Sequence, residues 1–553
     1  MNQIMNILYI YNSTHPLKLK TDDTVYTYCL NAGTICALHC MSFNDNQRLN
    51  EIALEIRDEY SNFIYALNET FLARDLVLDK KLSLYFISDV SNKRTELFDT
   101  YVTICHLLLL KEKMKDIRID KIIVFGCTRF FVESLQSIFT DIKIDCKNPQ
   151  SSIKYNFLRN YIIAAYFFID TFIKRLLLMF FRYHNIQSGS MKSLFFTIFS
   201  LHLNENGYEL KYGSLVNDTD GYLVSIMMDG MHQWRTLRQY QKDIRILKKL
   251  QTIRKIILLD RELTFRDIVI GYFNLISLQR KRKRIKNRTF IFKNINITKF
   301  MQYELDISFK RIQRLIIYRN AFRRIFNTLD IENFYYYLHE YSFGRFLSFM
   351  LANYFPEIKR IGFQHGPASW RKLLYALAEN ECSHDCVYLH HVPIPHMVLC
   401  EDNLSKEIYE NAGYHNIEVM HDVPRLHYLK KIKRNNIRKN TVLIACGLHD
   451  GPLMFAGLKE EVMTNKDKRY IIKFHPKTNH KNIIREIQSL PLKNVDIGYE
   501  HVSHYLSYVD EVISSYSSVG YEAYCLGINT RVLKLNNRIN ESPLLDLMLK
   551  NKQ

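Results

Sequence analysis

At ~150 residues per domain, a chain of 553 residues predicts two to four domains. Hydrophobic residues make up 47% and charged residues 24%, which excludes general disorder and a collagen-like chain, while 18 Gly and 11 Pro leave little for long linkers. The 76 Lys and Arg exceed the 56 Asp and Glu by 20, so anionic partners are expected: phosphates, a lipid surface or nucleic acid.

The chain opens without a basic stretch ahead of its first short apolar run, so Ile7–Tyr11 predicts a β-strand and not a signal peptide. Through residue 150, strand-like runs (Asn6–Tyr11, Thr34–Met41, Leu84–Ser88, Lys121–Cys127, Asp141–Cys146) alternate with helical periods (Asn46–Asn68, Lys93–Lys115, Phe130–Thr140). Such alternation implies a mostly parallel, doubly wound sheet. From 151 to 332 the pattern is more helical. Tyr161–Tyr183 is the most apolar stretch, but Asp170, Lys174, Arg175 and Arg182 interrupt it, so a buried or half-buried helix is expected rather than a span. Residues 231–330 carry 25 Lys and Arg against 7 Asp and Glu, nearly the whole excess.

A second alternation begins near Asn333. Strands are expected at Phe334–Leu338, Arg360–Gln364, His396–Glu401 and Ile417–His421, with helices at Phe343–Tyr354 and Asn403–Ala412. A denser series follows: strands Thr441–Ala445, Tyr470–Phe474, Val495–Tyr499, Glu511–Ser514 and Thr530–Leu535, separated by helices Pro452–Thr464, His480–Leu490, Val502–Tyr508 and Ser518–Leu526. The expected organisation is an α/β chain of two Rossmann-like domains facing across a cleft. Residues 1–150 form an N-terminal Rossmann-like part and 151–332 a helical, basic insertion in the acceptor domain. Residues 333–425 complete the N-terminal domain and link it to a donor-binding domain at 426–553.

In doubly wound sheets, ligands bind beyond the carboxyl ends of the strands. There this sequence places Lys473 and His475 before a proline turn, and Ser517 or Ser518 at the cap of a helix, where free N–H groups favour phosphate. Glu522 lies one turn further on, suited to sugar or ribose hydroxyls, and Gly447 lies in the loop Cys446–Gly451. Singly, these are ordinary caps and turns; three at consecutive strand ends point to a nucleotide-phosphate site. Upstream, His365 follows strand Arg360–Gln364, and Glu340 follows Phe334–Leu338. Either is a candidate base, and His365 is equally explained as a histidine bonded to its own turn.

Taken together, Gly362–Gly366 (GFQHG), Lys473–Pro476 (KFHP) and Ser514–Ala523 (SSYSSVGYEA) resemble GT-B glycosyltransferases of bacterial surface polysaccharides. That broad group holds CDP-glycerol glycerophosphotransferases of teichoic acid synthesis, capsular Kdo transferases and bacterial sialyl- and polysialyltransferases. The sequence is most similar to a surface-carbohydrate branch handling CMP-activated acidic sugars, over about Asn333 to Leu535. The resemblance implies donor-phosphate binding by His475 and Ser517 or Ser518, and acceptor deprotonation by His365 or Glu340. Val423–Leu426 looks like the family's interdomain linker, with Asp422 in place of the usual glycine. A departing nucleoside phosphate gains negative charge that Lys473, His475 and the Ser518 helix terminus would stabilise, so no metal cofactor is expected.

Weaker signals remain. Asn217–Gly221 (NDTDG) is foremost a turn, though Asp218 and Asp220 have diphosphate–metal spacing. Cys382, His384, Cys386, His390 and His391 lack paired Cys-x2-Cys arms, so buried thiols and loop histidines are expected over zinc. Seven of nine residues from Arg280 to Arg288 are cationic. Without interleaved aromatics, the run Arg280, Lys281, Arg282, Lys283 and Arg284 suits an anionic membrane surface better than nucleic acid, or is simply a solvated charge run. Eleven cysteines without regular spacing suit a reducing compartment.

The expected protein is thus a cytoplasmic glycosyltransferase peripheral to the inner membrane face, joining a nucleotide-activated sugar to a glycan or lipid-linked glycan. The alternatives are a glycerol- or ribitol-phosphate transferase, a nucleotide-sugar epimerase, and a non-enzymatic anion- or RNA-binding protein.

Overall fold

The computed structural model describes the chain except residues 1–4, 14–16, 20–22, 32–34, 37–39, 150–156, 180–189, 200–201, 204–205, 220, 228–235, 254, 284, 286–287, 338, 365, 384–387, 449, 476–479 and 551–553, and the side chains of 18, 35–36, 157–161, 163–164, 190–191 and 283.

Three parallel sheets organise it. The first orders its strands Cys40–Ser42, Thr24–Cys29, Asn6–Tyr11, Lys121–Phe125 and Lys143–Lys147. The middle sheet has seven strands: Ile256–Leu258, Tyr222–Met227, Ser190–Phe199, Asp330–Tyr337, Lys359–Phe363, Met397–Cys400 and Ile417–Val419. The C-terminal sheet orders Val495–Ile497, Arg469–Lys473, Arg438–Ala445, Val509–Ser514 and Asn529–Val532. Ranked by position in the chain, the first and last read 3-2-1-4-5 and the middle one 3-2-1-4-5-6-7, the doubly wound order whose chain direction reverses beside its first strand.

The reason lies in the sequence. Strands buried on both faces read as unbroken apolar runs, and Val442, Leu443, Ile444 and Ala445 are all buried, as are Tyr470, Ile471 and Ile472. Helix Asn46–Tyr65 buries Leu49, Ile52, Ala53, Ile56, Tyr60 and Ile64, one side of a 3.6-residue period. Its first turn is capped by Asp45, which accepts from the Arg48 amide at 3.0 Å.

The predicted α/β class holds, but the sheets group differently from the expected pair. Strands of 333–425 pair with Ser190–Phe199, so 151–332 is not only helical: it supplies three strands of the middle sheet. One continuous apolar core runs from Leu8 and Tyr28 through Met301 and Phe309 to Phe334 and Phe349, joining the first and middle sheets. The C-terminal sheet carries separate cores on its two faces.

Leu84–Ser88, expected as a strand, forms buried turns instead. The Ser88 hydroxyl donates to the Tyr85 carbonyl at 2.6 Å and the Ser91 hydroxyl to Ser88 at 2.8 Å, so serine side chains take backbone groups that a ladder would need. The expected half-buried helix is found at Phe157–Met179. Among the described residues no helix is long and apolar enough to cross a membrane.

After Val532 the chain returns to the other sheets. Asn537 accepts from Asn44 at 2.7 Å, Arg538 donates to Asn31 at 2.6 Å, and Asp546 of helix Pro543–Lys550 accepts from Ser369 at 2.6 Å.

Where helix Thr298–Ile316 packs on the first unit, Glu304 is buried and accepts from the Thr100 hydroxyl. Burial pushes its carboxyl up to about 8, with the Asp99 charge adding to the shift and the Thr100 bond opposing it. A carboxyl raised in the folded state stabilises it fully below the unfolded pKa of about 4.5, and that stability is lost as pH rises through about 8. Glu304→Gln keeps the acceptor without the charge. We expect it to unfold at a higher temperature than the wild type at pH 8–9, by on the order of 1–3 kcal/mol, with the difference vanishing near pH 4.5; a pH-independent difference in thermal melts would exclude this account.

Candidate functional site

The carboxyl edges of the middle and C-terminal sheets meet at Arg425. This residue is the second of the 3-10 segment Pro424–Lys431 that links the two sheets. Its guanidinium donates through Nε and Nη2 to both oxygens of Glu401, immediately past strand Met397–Cys400, and through Nη1 to Glu522 at 3.3 Å. Tyr428 donates to the other Glu522 oxygen at 2.6 Å, and the guanidinium lies 5.6 Å from the Tyr521 ring. Burial by itself would lower the Arg425 pKa, but the hydrogen bond and charge of Glu401, with the charge of Glu522, outweigh it and raise it. Beside this clamp, Tyr521 donates at 2.8 Å to Asp402, the capping residue of helix Asn403–Asn411.

Sequence reasoning placed Glu522 one turn inside the helix, and so it is, but the expected hydroxyl-binding role is not the one its contacts show. Both carboxylate oxygens are engaged by Arg425 and Tyr428, because a carboxylate buried between two sheets requires compensating donors.

On the C-terminal sheet, Ser517 caps helix Ser518–Cys525, its hydroxyl accepting from the Val519 amide at 3.4 Å, while Ser518 is exposed at the first helical position. Cys446 and Gly447 end strand Arg438–Ala445 directly beside this turn. A Cβ on Gly447 would lie 2.9 Å from the Tyr516 ring and 3.2 Å from the Asp450 carboxylate, so the glycine permits the two strand-end loops to touch. Ser515 donates to the buried Asp450 and fastens them. These two loops flank the switch point of the 3-2-1-4-5 sheet, the crevice where such sheets bind ligands.

His475 is half-buried, two residues past Lys473. The Lys473 ammonium lies 5.9 Å from the Tyr505 ring centre, on the opposite face of the sheet from the core around Phe474. Burial lowers the Lys473 pKa, opposed by Glu500. The alternation of side chains along a strand sets Lys473 opposite its neighbour Phe474.

On the middle sheet, Glu340 follows strand Asp330–Tyr337, but it does not stand at an open mouth. It is 1% exposed, accepts from Tyr409, and lies 3.5 Å from His339 Nε2. Burial lowers the His339 pKa, which keeps that ring neutral near pH 7. A base must reach the proton it removes, so in this structure Glu340 is an internal carboxylate. His365 lies outside the described residues. Its neighbours show what the GFQHG run does: a Cβ on Gly362 would lie 2.8 Å from the His339 ring, and Gln364 accepts from the Glu401 amide at 2.7 Å while donating to the Gly366 carbonyl and Ser405. Gly366 lines a cavity of about 50 Å³ with Lys93, Tyr341, Lys372, Tyr375 and Glu541. The Glu541 carboxyl, pushed up by burial to about 7, accepts from Thr95 at 2.6 Å.

The cationic run does not act as one exposed patch. Arg282 is buried and ion-paired with Asp306 at 2.9 Å, because an internal guanidinium requires a carboxylate. Lys281 donates to the Asp75 carbonyl at 3.0 Å; Arg280 is exposed; Arg284 and the Lys283 side chain lie outside the described residues. Arg282 is therefore no membrane contact. Among the described residues no cluster of three or more potential metal ligands occurs. Cys382 donates to the Gly413 carbonyl and His391 contacts the Asn380 carbonyl at 2.9 Å; His384, Cys386 and Asp220 lie outside the described residues.

No family model and no curated protein sequence matches the chain. Solved structures match loosely. A UDP-GlcNAc 2-epimerase from Neisseria meningitidis bound to UDP-GlcNAc aligns with TM-score 0.35 and 10% identity over 62% of this chain and 82% of its own. Acinetobacter baumannii MurG gives 0.35 and 8% over 66% and 84%, and CalG4, the calicheamicin glycosyltransferase, also gives 0.35 and 8% over 66% and 84%. The fold assignment stands on the sheets themselves: three doubly wound parallel units, the last joined to the middle one through Arg425.

What sequence reasoning missed is the clamp. Arg425 was visible in the linker-like Val423–Leu426 run, but nothing in the chain marks Glu401, Tyr428 and Glu522 as its partners. Arg425→Ala should destabilise by about 3–5 kcal/mol by leaving two buried carboxylates uncompensated. Glu401→Gln should cost less, and the double variant should show strong coupling in denaturant unfolding; additive effects would dissolve the clamp.

Proposed function

We propose that the chain is a nucleotide-sugar-dependent glycosyltransferase of GT-B architecture. The supporting observation is a pair of strand-end regions, the switch point at Gly447 and Ser517–Ser518 on the C-terminal sheet and the GFQHG turn on the middle sheet, tied together through Glu401 and Arg425. Motif resemblance to surface-polysaccharide enzymes supports a CMP-activated acidic sugar as donor and a surface glycan, free or lipid-linked, as acceptor.

In this reading the donor's phosphate sits at the N-terminus of helix Ser518–Cys525, where Ser518 is exposed and the helix dipole favours an anion. His475 completes the anion site from the end of strand Arg469–Lys473, on the far side of strand Arg438–Ala445. As the sugar leaves, the charge growing on the phosphate meets donors already in place, and transfer proceeds without a divalent cation. The acceptor hydroxyl approaches from the middle sheet, where His365 takes its proton. Glu340 stays inside, holding Tyr409 beneath the same strand end.

Incubation of the pure protein with CMP-, CDP- and UDP-sugars, with and without a glycan acceptor, tests the proposal by product analysis. Transfer should require an acceptor, which separates it from epimerisation, and should persist in EDTA. His475→Ala should lower kcat/KM by about 10²–10³-fold while the fold stays intact, and Ser518→Ala less, since Ser517 and the helix amides remain. Wild-type transfer by His475→Ala would remove the phosphate role.

A further inference from the structure

Helix Phe157–Met179 is built inside out. Ile162, Ile169, Phe172, Leu176 and Met179 are 42–54% exposed, and their spacing of 7, 3, 4 and 3 confines them to an arc of roughly 100°. The opposite face buries Asp170, Thr171 and Lys174. There Lys174 lies 2.8 Å from the Asp170 carboxylate, and Tyr240 of helix Leu237–Ile253 donates to Asp170. A water-facing helix ordinarily does the reverse. The buried ion pair fixes the rotation, since turning the stripe inward would strip these charges of partners.

Helix Phe265–Lys283 continues the surface. It packs alongside through Phe168 against Tyr272, ring centres 5.6 Å apart, and Phe172 against Phe265 at 4.8 Å. Its exposed face shows Val269, Ile270 and Phe273, 45–63% exposed, with Arg266 and Arg280 exposed at either end of the same stripe, about 21 Å apart along the helix. Eight large apolar side chains near half exposure form a patch at or above the ~300–600 Å² that a monomer's largest usually reaches.

We propose that this face docks the protein on a bilayer surface bearing anionic head groups. The apolar stripe enters the head-group and acyl boundary with the helices lying flat, and Arg266 and Arg280 meet lipid phosphates. Charge decides the occupant. Among the described residues, the exposed side chains of the two stripes include no carboxylate, and the charges they carry are Arg266 and Arg280. A second copy seated on this face would set basic residues against basic residues, whereas anionic lipid neutralises them. The surface differs from the Arg280–Arg284 run expected from sequence, and it does not depend on the sugar-transfer reading.

Flotation with vesicles of phosphatidylcholine, alone or mixed with phosphatidylglycerol, tests it using the full chain. The wild type should float with the mixed vesicles and be released by high salt. Phe172→Ser/Leu176→Ser/Phe273→Ser should lower the bound fraction at least about tenfold. Arg266→Gln/Arg280→Gln, which leaves the apolar face and the fold untouched, should cost about fivefold per charge. Equal flotation by both variants, or equal binding to phosphatidylcholine alone, would overturn the proposal. So would a wild-type dimer in sedimentation velocity that the triple variant converts to monomer, which would assign the face to a second copy.

Discussion

The functional geometry depends on one buried cation. Arg425 stands between Glu401, at the carboxyl end of a middle-sheet strand, and Glu522, in the helix that follows a C-terminal-sheet strand. Neither carboxylate would tolerate burial alone. With the guanidinium divided between them and Tyr428 supplying a further donor, two sheets with separate cores are brought edge to edge. Because the fork of a guanidinium is planar and directional, the clamp sets orientation as well as proximity. The crevice between the strand ends follows from it.

Charge elsewhere is spent on assembly. The basic segment looks in sequence like a surface for anions, yet much of it is internal wiring. Arg282 and Lys310 share Asp306, Arg311 holds Asp89, and Arg324 holds Asp267. These pairs fasten the helices between the middle-sheet strands to one another and to the first unit, whose core is continuous with theirs. The positive charge left outside includes two arginines bracketing an apolar stripe. Net charge is a sum over the chain and carries no record of which members have partners.

The C-terminal series was legible almost strand by strand, because parallel strands buried on both sides must be apolar runs and each is punctuated by a helix cap or a proline turn. Ser517 was legible as a cap for the same local reason. The strand Ser190–Phe199 was not. It lies in a segment of helical and basic character, and its pairings with Tyr222–Met227 and with Asp330–Tyr337, far along the chain, make it the first strand of a sheet. Leu84–Ser88 failed in the other direction: a β-like composition lost to serine hydroxyls that bond within a turn.

The sequence by itself determined the class of the fold, the places where strands end, and the chemistry offered there, since these depend on residues near one another along the chain. Tertiary structure alone decided that the strands gather into three large parallel sheets, that Glu522 and Glu340 are held by Arg425 and Tyr409, and that the apolar face of helix Phe157–Met179 points outward. Each rests on partners 70 to several hundred residues away or on a buried ion pair's demand for compensation, and neither distance nor desolvation is written in local pattern.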